Sequence, residues 1–160
     1  MANIDSPEQG NFKSKVSNRK NPSKAALVPL GKMQPQAVDI EETVLGALML
    51  EKDALTTVID ILKPQSFYDD RHSKVYEAIV QLFNKSEPVD IMTVTAQLRK
   101  NGTLEIAGGA YHIANLTTRV NSAANIEYHA RIITEQAIKR DLIRISAKIQ
   151  EDAFEDTEDV

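Results

Sequence analysis

Three histidines (His72, His112, His129) and three acidic doublets (Glu41-Glu42, Asp69-Asp70, Glu151-Asp152) are the side chains of this chain best suited to hold a metal ion or move a proton. A helical metal pair needs ligands three or four residues apart, and the histidines are too scattered to form one with each other. Glu127 lies two residues from His129 and so falls on a different helical face. The doublets sit where helices start or at the solvated chain end, so nothing is expected to bury them and raise a pKa. With no cysteine there is no thiolate zinc site, disulfide or cysteine nucleophile. Neither a G-x-x-x-x-G-K-S/T phosphate loop nor a G-x-G-x-x-G turn occurs, and Gly108-Gly109 runs into Ala-Tyr-His with no lysine to reach a phosphate. No serine or threonine has a nucleophile-elbow context. The expectation is a chain that is not itself an enzyme, with no catalytic, cofactor-binding or metal-ligating residues.

The elements that would carry these groups read as helices. Asp39, with Glu42 three residues on, reads as a capping box opening a first helix with Ile40, Val44, Leu45, Leu48 and Met49 on its apolar face. Gly46 inside it costs about 1 kcal/mol relative to alanine, which points to close helix packing. Asp53 is expected to cap a short second helix carrying Leu55, Val58, Ile59 and Leu62, stopped at Lys63-Pro64. The turn Ser66 to Asp70 brings two aromatics, Phe67 and Tyr68, expected to plug the core. Val75, Tyr76, Ile79, Leu82 and Phe83 give helical spacing over 71–84, broken at Glu87-Pro88. Asp90 can start a fourth helix with Val94 and Leu98, closing at Asn101-Gly102 in a left-handed cap. The β-branched run Val89 to Thr95 would suit a strand, but there is no partner strand for it, so helix is the reading. Gly108-Gly109 opens a fifth helix through Tyr111, Ile113 and Leu116.

A last helix is expected from about Ala123 to Asp152. Glu127/Arg131 and Glu135/Lys139 are i,i+4 pairs in the favourable order, each worth a few tenths of a kcal/mol. Ile126, Ala130, Ile133 and Ala137 share one face. Ile138, Leu142, Ile145 and Ile149 share another, turned by roughly 110°. A smaller stripe holds Ile132, Ile143, Ala147 and Phe154. Such a helix must be covered on several sides. Either its first half packs on its own domain and its second half on another helix or subunit, or the whole is a central core helix.

Hydrophobic residues at 42% and charged residues at 26% suit a globular domain, and 160 residues allow one. No apolar run reaches the roughly 18–20 residues that span a bilayer. The net charge of −4 hides an asymmetry: residues 1–34 hold six Lys/Arg and two acids, and the remainder is net acidic. The first 34 residues, rich in Asn, Ser, Lys, Pro and Gly, are expected to be a disordered basic tail, with 35–156 the folded domain. The tail could touch nucleic acid, while the net-acidic body is ill suited to phosphate contact.

The stretch Pro35-Gln36-Ala37-Val38-Asp39-Ile40-Glu41-Glu42-Thr43-Val44-Leu45-Gly46-Ala47 resembles the "P-Q-x-x-x-A-E-x-x-V-L-G-A" opening of bacterial replicative helicases of the DnaB family. Phe67-Tyr68 with His72 is similar to that family's "D-F-Y-x-x-x-H", and Pro88-Val89-Asp90 with Thr93-Val94 to its "P-V-D-x-x-T-V". Gly108-Gly109 and the run Asn125 to Ile133 resemble later blocks, and the resemblance covers about residues 35–155. The family's "A-E" is here Ile40-Glu41, and its "Y-A" is stretched to Tyr128-His129-Ala130.

The resemblance implies an all-α, compact multi-helix bundle whose long C-terminal helix begins a helical hairpin. It implies a collar domain that pairs with copies of itself as a dimer and in a ring hexamer, and that docks the C-terminal domain of primase. Carried over to matching positions, Tyr111, His112, Ile143 and Ile149 are the candidate docking residues. ATP and Mg, and contact with DNA, belong to a RecA-like ATPase domain of the parent protein that is absent from this chain. A bacterial cytoplasmic setting with no membrane partner follows. The alternative is a stand-alone helical adaptor carrying a helicase-like domain.

Overall fold

A computed structural model describes residues 33–120 and 123–155; the expected tail over 1–34 therefore lies outside the described residues except for its last two positions. Six α-helices follow one another: α1 Val38–Leu50, α2 Ala54–Val58, α3 Asp70–Asn84, α4 Ile91–Lys100, α5 Gly109–Thr118 and α6 Ile126–Glu155. A 3-10 turn at Pro64–Ser66 joins α2 to α3, and the described residues contain no strand. The all-α reading holds among the described residues, and the β-branched run is helical from Ile91 onward.

Helix α1 is the hub, packed on α2, α3, α5 and α6, while α4 bridges α3 and α5. Its Val44, Leu45 and Leu48 meet Val75, Tyr76, Ile79 and Leu82 of α3 in one core that also takes in Leu98, Ile113 and Ile133. Gly46 lets α1 and α5 touch backbone to backbone: a Cβ built there would stand 2.2 Å from the Leu116 carbonyl oxygen. The close packing expected at this glycine is therefore the α1–α5 crossing. Burial also pushes the Tyr76 phenol up to about 12, and its hydroxyl donates to the Leu62 carbonyl at 3.2 Å.

Local signals succeed where the cap is local. Asp90 accepts from the Met92 and Thr93 amides, and the Thr93 hydroxyl accepts from the Asp90 amide, a complete capping box for α4. Gly102, at φ +70, closes α4 with the Thr103 amide returning to the Leu98 carbonyl. Helix α3 ends in the same way, except that Ser86 adopts the left-handed conformation, at φ 57, and the Glu87 amide returns to Leu82.

Three expectations are corrected. The capping box at Asp39 does not form: α1 starts at Val38 after Ala37 with no side-chain cap, because Glu41 turns inward and Glu42 pairs with Arg119 at 2.8 Å. Asp53 precedes α2 but its side chain makes no cap bond, since its own backbone is already helical. Of the two aromatics, Phe67 is buried against Tyr76, whereas Tyr68 stays exposed beneath the Arg140 guanidinium.

Candidate functional site

Only the first half of α6 belongs to the body. Ile126, Ala130 and Ile133 are buried, and the Thr134 hydroxyl donates to the Ile61 carbonyl at 3.1 Å. Arg140 ends this attachment. Its guanidinium donates to the Pro35 carbonyl at 2.9 Å and the Ser66 carbonyl at 2.7 Å while lying 5.6 Å from the Tyr68 ring centroid.

Beyond Arg140 the helix leaves the core, and from Asp141 to Phe154 only Ala147 is partly covered. Leu142 (59% exposed), Ile145 and Ile149 continue the stripe begun at Ile138. Ile143 and Phe154 are exposed as well, on nearly the opposite side of the helix at about 100° per residue. The central-core alternative for α6 is thereby excluded for this chain. Ion pairs run along this arm, Arg144–Asp141 at 3.1 Å and Lys148–Asp152 at 2.7 Å. An unpacked helix of this length is marginal in water, so the arm depends on continuity with the packed half and on these pairs. Five large apolar side chains on one exposed arm make a surface suited to another helix.

The candidate residues on α5 separate. Tyr111, in the first turn, is 80% exposed, while the His112 ring turns inward and stacks on His72 with centroids 5.9 Å apart. Gly108, at φ +92, makes room for that ring, since a Cβ there would meet His112 Cβ at 2.9 Å. Helix α5 packs on α1 and α4, whereas α6 packs on α1, α2 and the 3-10 turn. Tyr111 is thus one exposed apolar point, and Ile143 and Ile149, both exposed, lie on different faces of the projecting arm.

A buried polar cluster lies beneath α5 that the sequence reading left scattered. Glu41 (1% exposed) accepts the Tyr68 amide at 2.7 Å, and its other oxygen lies 2.8 Å from His72 Nδ1. Because Glu41 already accepts a backbone N–H, the His72 ring nitrogen serves as the donor. The expectation that nothing buries the Glu41-Glu42 doublet fails at Glu41. Its register was the missed signal: Glu41 shares the α1 face of Val44, Leu45 and Leu48, and His72 shares the α3 face of Val75, Tyr76 and Ile79. A polar group on each of two core stripes points to a pair across them. Desolvation holds His112 below the ordinary histidine pKa, helped by Arg71 and His72 and opposed by Glu42 and Asp69. Its hydrogen bond from Arg71 holds the Asp69 carboxyl down at about 2. Among the described residues no three His, Asp or Glu side chains gather as a metal site. The cluster can therefore tie α1, α3 and α5 together, and the arm and Tyr111 are what the surface offers to partners.

A family model described as the DnaB-like helicase N-terminal domain matches residues 33–135. The replicative DNA helicase DnaB of Rhodothermus marinus is 50% identical over 110 residues, covering 69% of this chain and 12% of the relative. The replicative DNA helicase DnaC of Bacillus subtilis is 40% identical over 123 residues, covering 77% of this chain and 27% of the relative. The chain thus spans about a quarter or less of the length of these two relatives. The crystal structure of the N-terminal domain of DnaB helicase from Mycobacterium tuberculosis matches with TM-score 0.74 at 37% identity, covering 76% of this chain and 85% of that one. A DnaB-like replicative helicase whose structure is described with its interactions with primase matches with TM-score 0.64 at 26% identity, over 72% of this chain and 27% of that one. No described helix is long and apolar enough to cross a membrane. On the match over residues 33–135, which takes in α1 to α5 and the packed start of α6, the chain belongs to the family of DnaB-like helicase N-terminal domains.

Proposed function

We propose that this domain is the non-catalytic collar of a bacterial, cytoplasmic replicative DNA helicase, where it pairs with copies of itself in a ring hexamer and docks the C-terminal domain of primase. The observation that carries the reading is the distal half of α6, an exposed arm with apolar side chains on two nearly opposite faces. The two faces offer contacts both to a further helix of the parent chain or of a copy and to a second protein, which would touch Ile143 on one face and Ile149 near the end of the other. The interaction with primase described for one structural relative supports the choice of that second protein. Tyr111 supplies an aromatic anchor of the kind that dominates interface energetics, and Ile143 and Ile149 supply aliphatic ones. ATP, Mg and strand separation belong to the remainder of the parent protein.

The test is a calorimetric titration of the 160-residue chain with a primase C-terminal domain, beside sedimentation equilibrium of the chain alone. Ile143→Asp and Ile149→Asp are each expected to weaken primase binding about tenfold or more, with circular dichroism unchanged. Undiminished binding would remove those residues from the docking surface, and a monomer at all concentrations would remove self-association. ATP hydrolysis by the purified chain would overturn the non-catalytic assignment.

A further inference from the structure

Little besides one ring holds the first turn of α5 on the body. Two consecutive glycines lead into it, Gly108 at φ +92 and Gly109 at φ +76, and no side chain caps its free amides. Within α5 only Ile113 and Leu116 are fully buried, and Leu116 is fixed by the crossing at Gly46. The turn before them rests on the His112 ring, which lies on His72 within 7° of parallel.

The surroundings of that ring suit its neutral form. Helix α1 contributes Glu41 and Glu42, and the start of α3 contributes Asp69, Arg71 and His72; none of the charges acting on His112 comes from α4. All three carboxylates are already committed: Glu41 to His72 and the Tyr68 amide, Glu42 to Arg119 at the end of α5, and Asp69 to Arg71. The Nε2 atoms of His72 and His112 are both buried without a hydrogen-bond partner. In the Nδ1–H tautomer this leaves only a lone pair unmatched. An imidazolium carries N–H on both nitrogens, so Nε2 of a protonated His112 becomes a charged donor with no acceptor. We propose that His112 is a proton-sensitive latch: on taking up a proton its ring leaves His72, and the first turn of α5 swings out about Gly108-Gly109 while Leu116 stays in place.

Desolvation, with help from Arg71 and His72, holds the ring's pKa below the ordinary histidine value. The open form therefore binds the proton more tightly than the closed one, which is the direction a latch of this kind requires. At about pH 5.5, one unit below the value near 6.5 of a solvated histidine, a proton bound only by the open form raises the open population about tenfold. Tyr111 lies on the same turn, so release changes where its exposed ring stands. Any effect on docking rests on the function proposed above, whereas the opening is a property of this chain alone.

The Ile113 and Ala114 amides report the opening, because their helical acceptors are the Gly109 and Ala110 carbonyls of that turn. Hydrogen exchange of the full chain, corrected for intrinsic rates, is expected to show about a tenfold loss of their protection between about pH 7.5 and about pH 5.5. At the lower pH their exchange should be insensitive to dilute urea, the sign of a local opening, while that of Leu48 in α1 rises with urea. His112→Phe keeps a flat ring without a proton site and should abolish the loss. Equal protection at both pH values would overturn the proposal, and so would an undiminished loss in His112→Phe. Exchange of Ile113 and Ala114 that follows urea as Leu48 does would also overturn it, because the proton would then act on global unfolding. Should circular dichroism show His112→Phe unfolded, the His112 Cε1 proton signal of the parent chain decides. A shift over the same pH range as the loss supports the latch, and a ring that titrates apart from the loss overturns it.

Discussion

The two halves of α6 are similar in aliphatic content and opposite in fate. Ile126, Ala130 and Ile133 disappear into the body, while Ile138, Leu142, Ile145 and Ile149 repeat much the same spacing in solvent. Periodicity is a property of the chain, whereas burial is a property of what lies across from it. The first half finds α1, α2 and the 3-10 turn waiting; the second half has passed the edge of the bundle. Apolar residues that satisfy every rule for a core can thus form an interface instead, and only the position of the neighbouring elements separates the two outcomes.

Mutations in matched pairs put that comparison at risk. Leu45→Ala with Leu48→Ala removes two fully buried leucines and is expected to cost upwards of about 4 kcal/mol, read from urea denaturation. Leu142→Ala with Ile145→Ala, of the same chemistry, should fall within about 0.5 kcal/mol for the isolated protomer. Comparable losses in the two pairs would show that the arm is covered.

Glu41→Ala is next in size. It leaves the part-buried Tyr68 amide and the buried His72 Nδ1 without an acceptor, at a cost of about 3 kcal/mol. Glu127→Ala, on the exposed side of α6, should cost only a few tenths despite its 2.7 Å pair with Arg131. Ser86→Gly should stabilise by about 1 kcal/mol, because the left-handed turn at φ 57 strains a residue with a Cβ. An unchanged melting temperature would mean that the serine side chain offsets that strain.

The smallest effect is proton-linked. Folding lowers the pKa of His112 below its unfolded value near 6.5, so the neutral ring's contribution is complete above that pH. It is lost as pH falls from there toward the folded value, because the unfolded chain takes up the proton first. His112→Phe should therefore flatten part of the stability decline between neutral and mildly acidic pH. An identical decline in both proteins would assign it to other groups.

How much of this was legible from sequence depends on how far apart the interacting residues lie. The ends of α4 could be read because Asp90, Thr93 and Gly102 act within one turn of the residues they serve. The start of α1 departs from its local pattern for the converse reason: Asp39 and Glu42 have the right spacing, but Glu42 answers to Arg119 and Glu41 to His72, both far along the chain. The inward turn of His112 depends on three elements meeting, which no single-helix pattern encodes. Gly46 was informative because an unfavourable residue in a good helix needs a reason, and the Leu116 carbonyl is that reason. Ser86 gave no such warning, since serine is ordinary in a turn and only the backbone angle marks it.

The three contacts of Arg140 also have a mechanical consequence. From that residue to Phe154 the arm is about 21 Å long, so a tilt of ten degrees at its base would sweep the tip by roughly 4 Å. The guanidinium holds the base from separate directions, through the carbonyls of Pro35 and Ser66 and the face of Tyr68. One side chain therefore sets the aim of a lever, and small errors in its seating would be magnified at the end where partners must register.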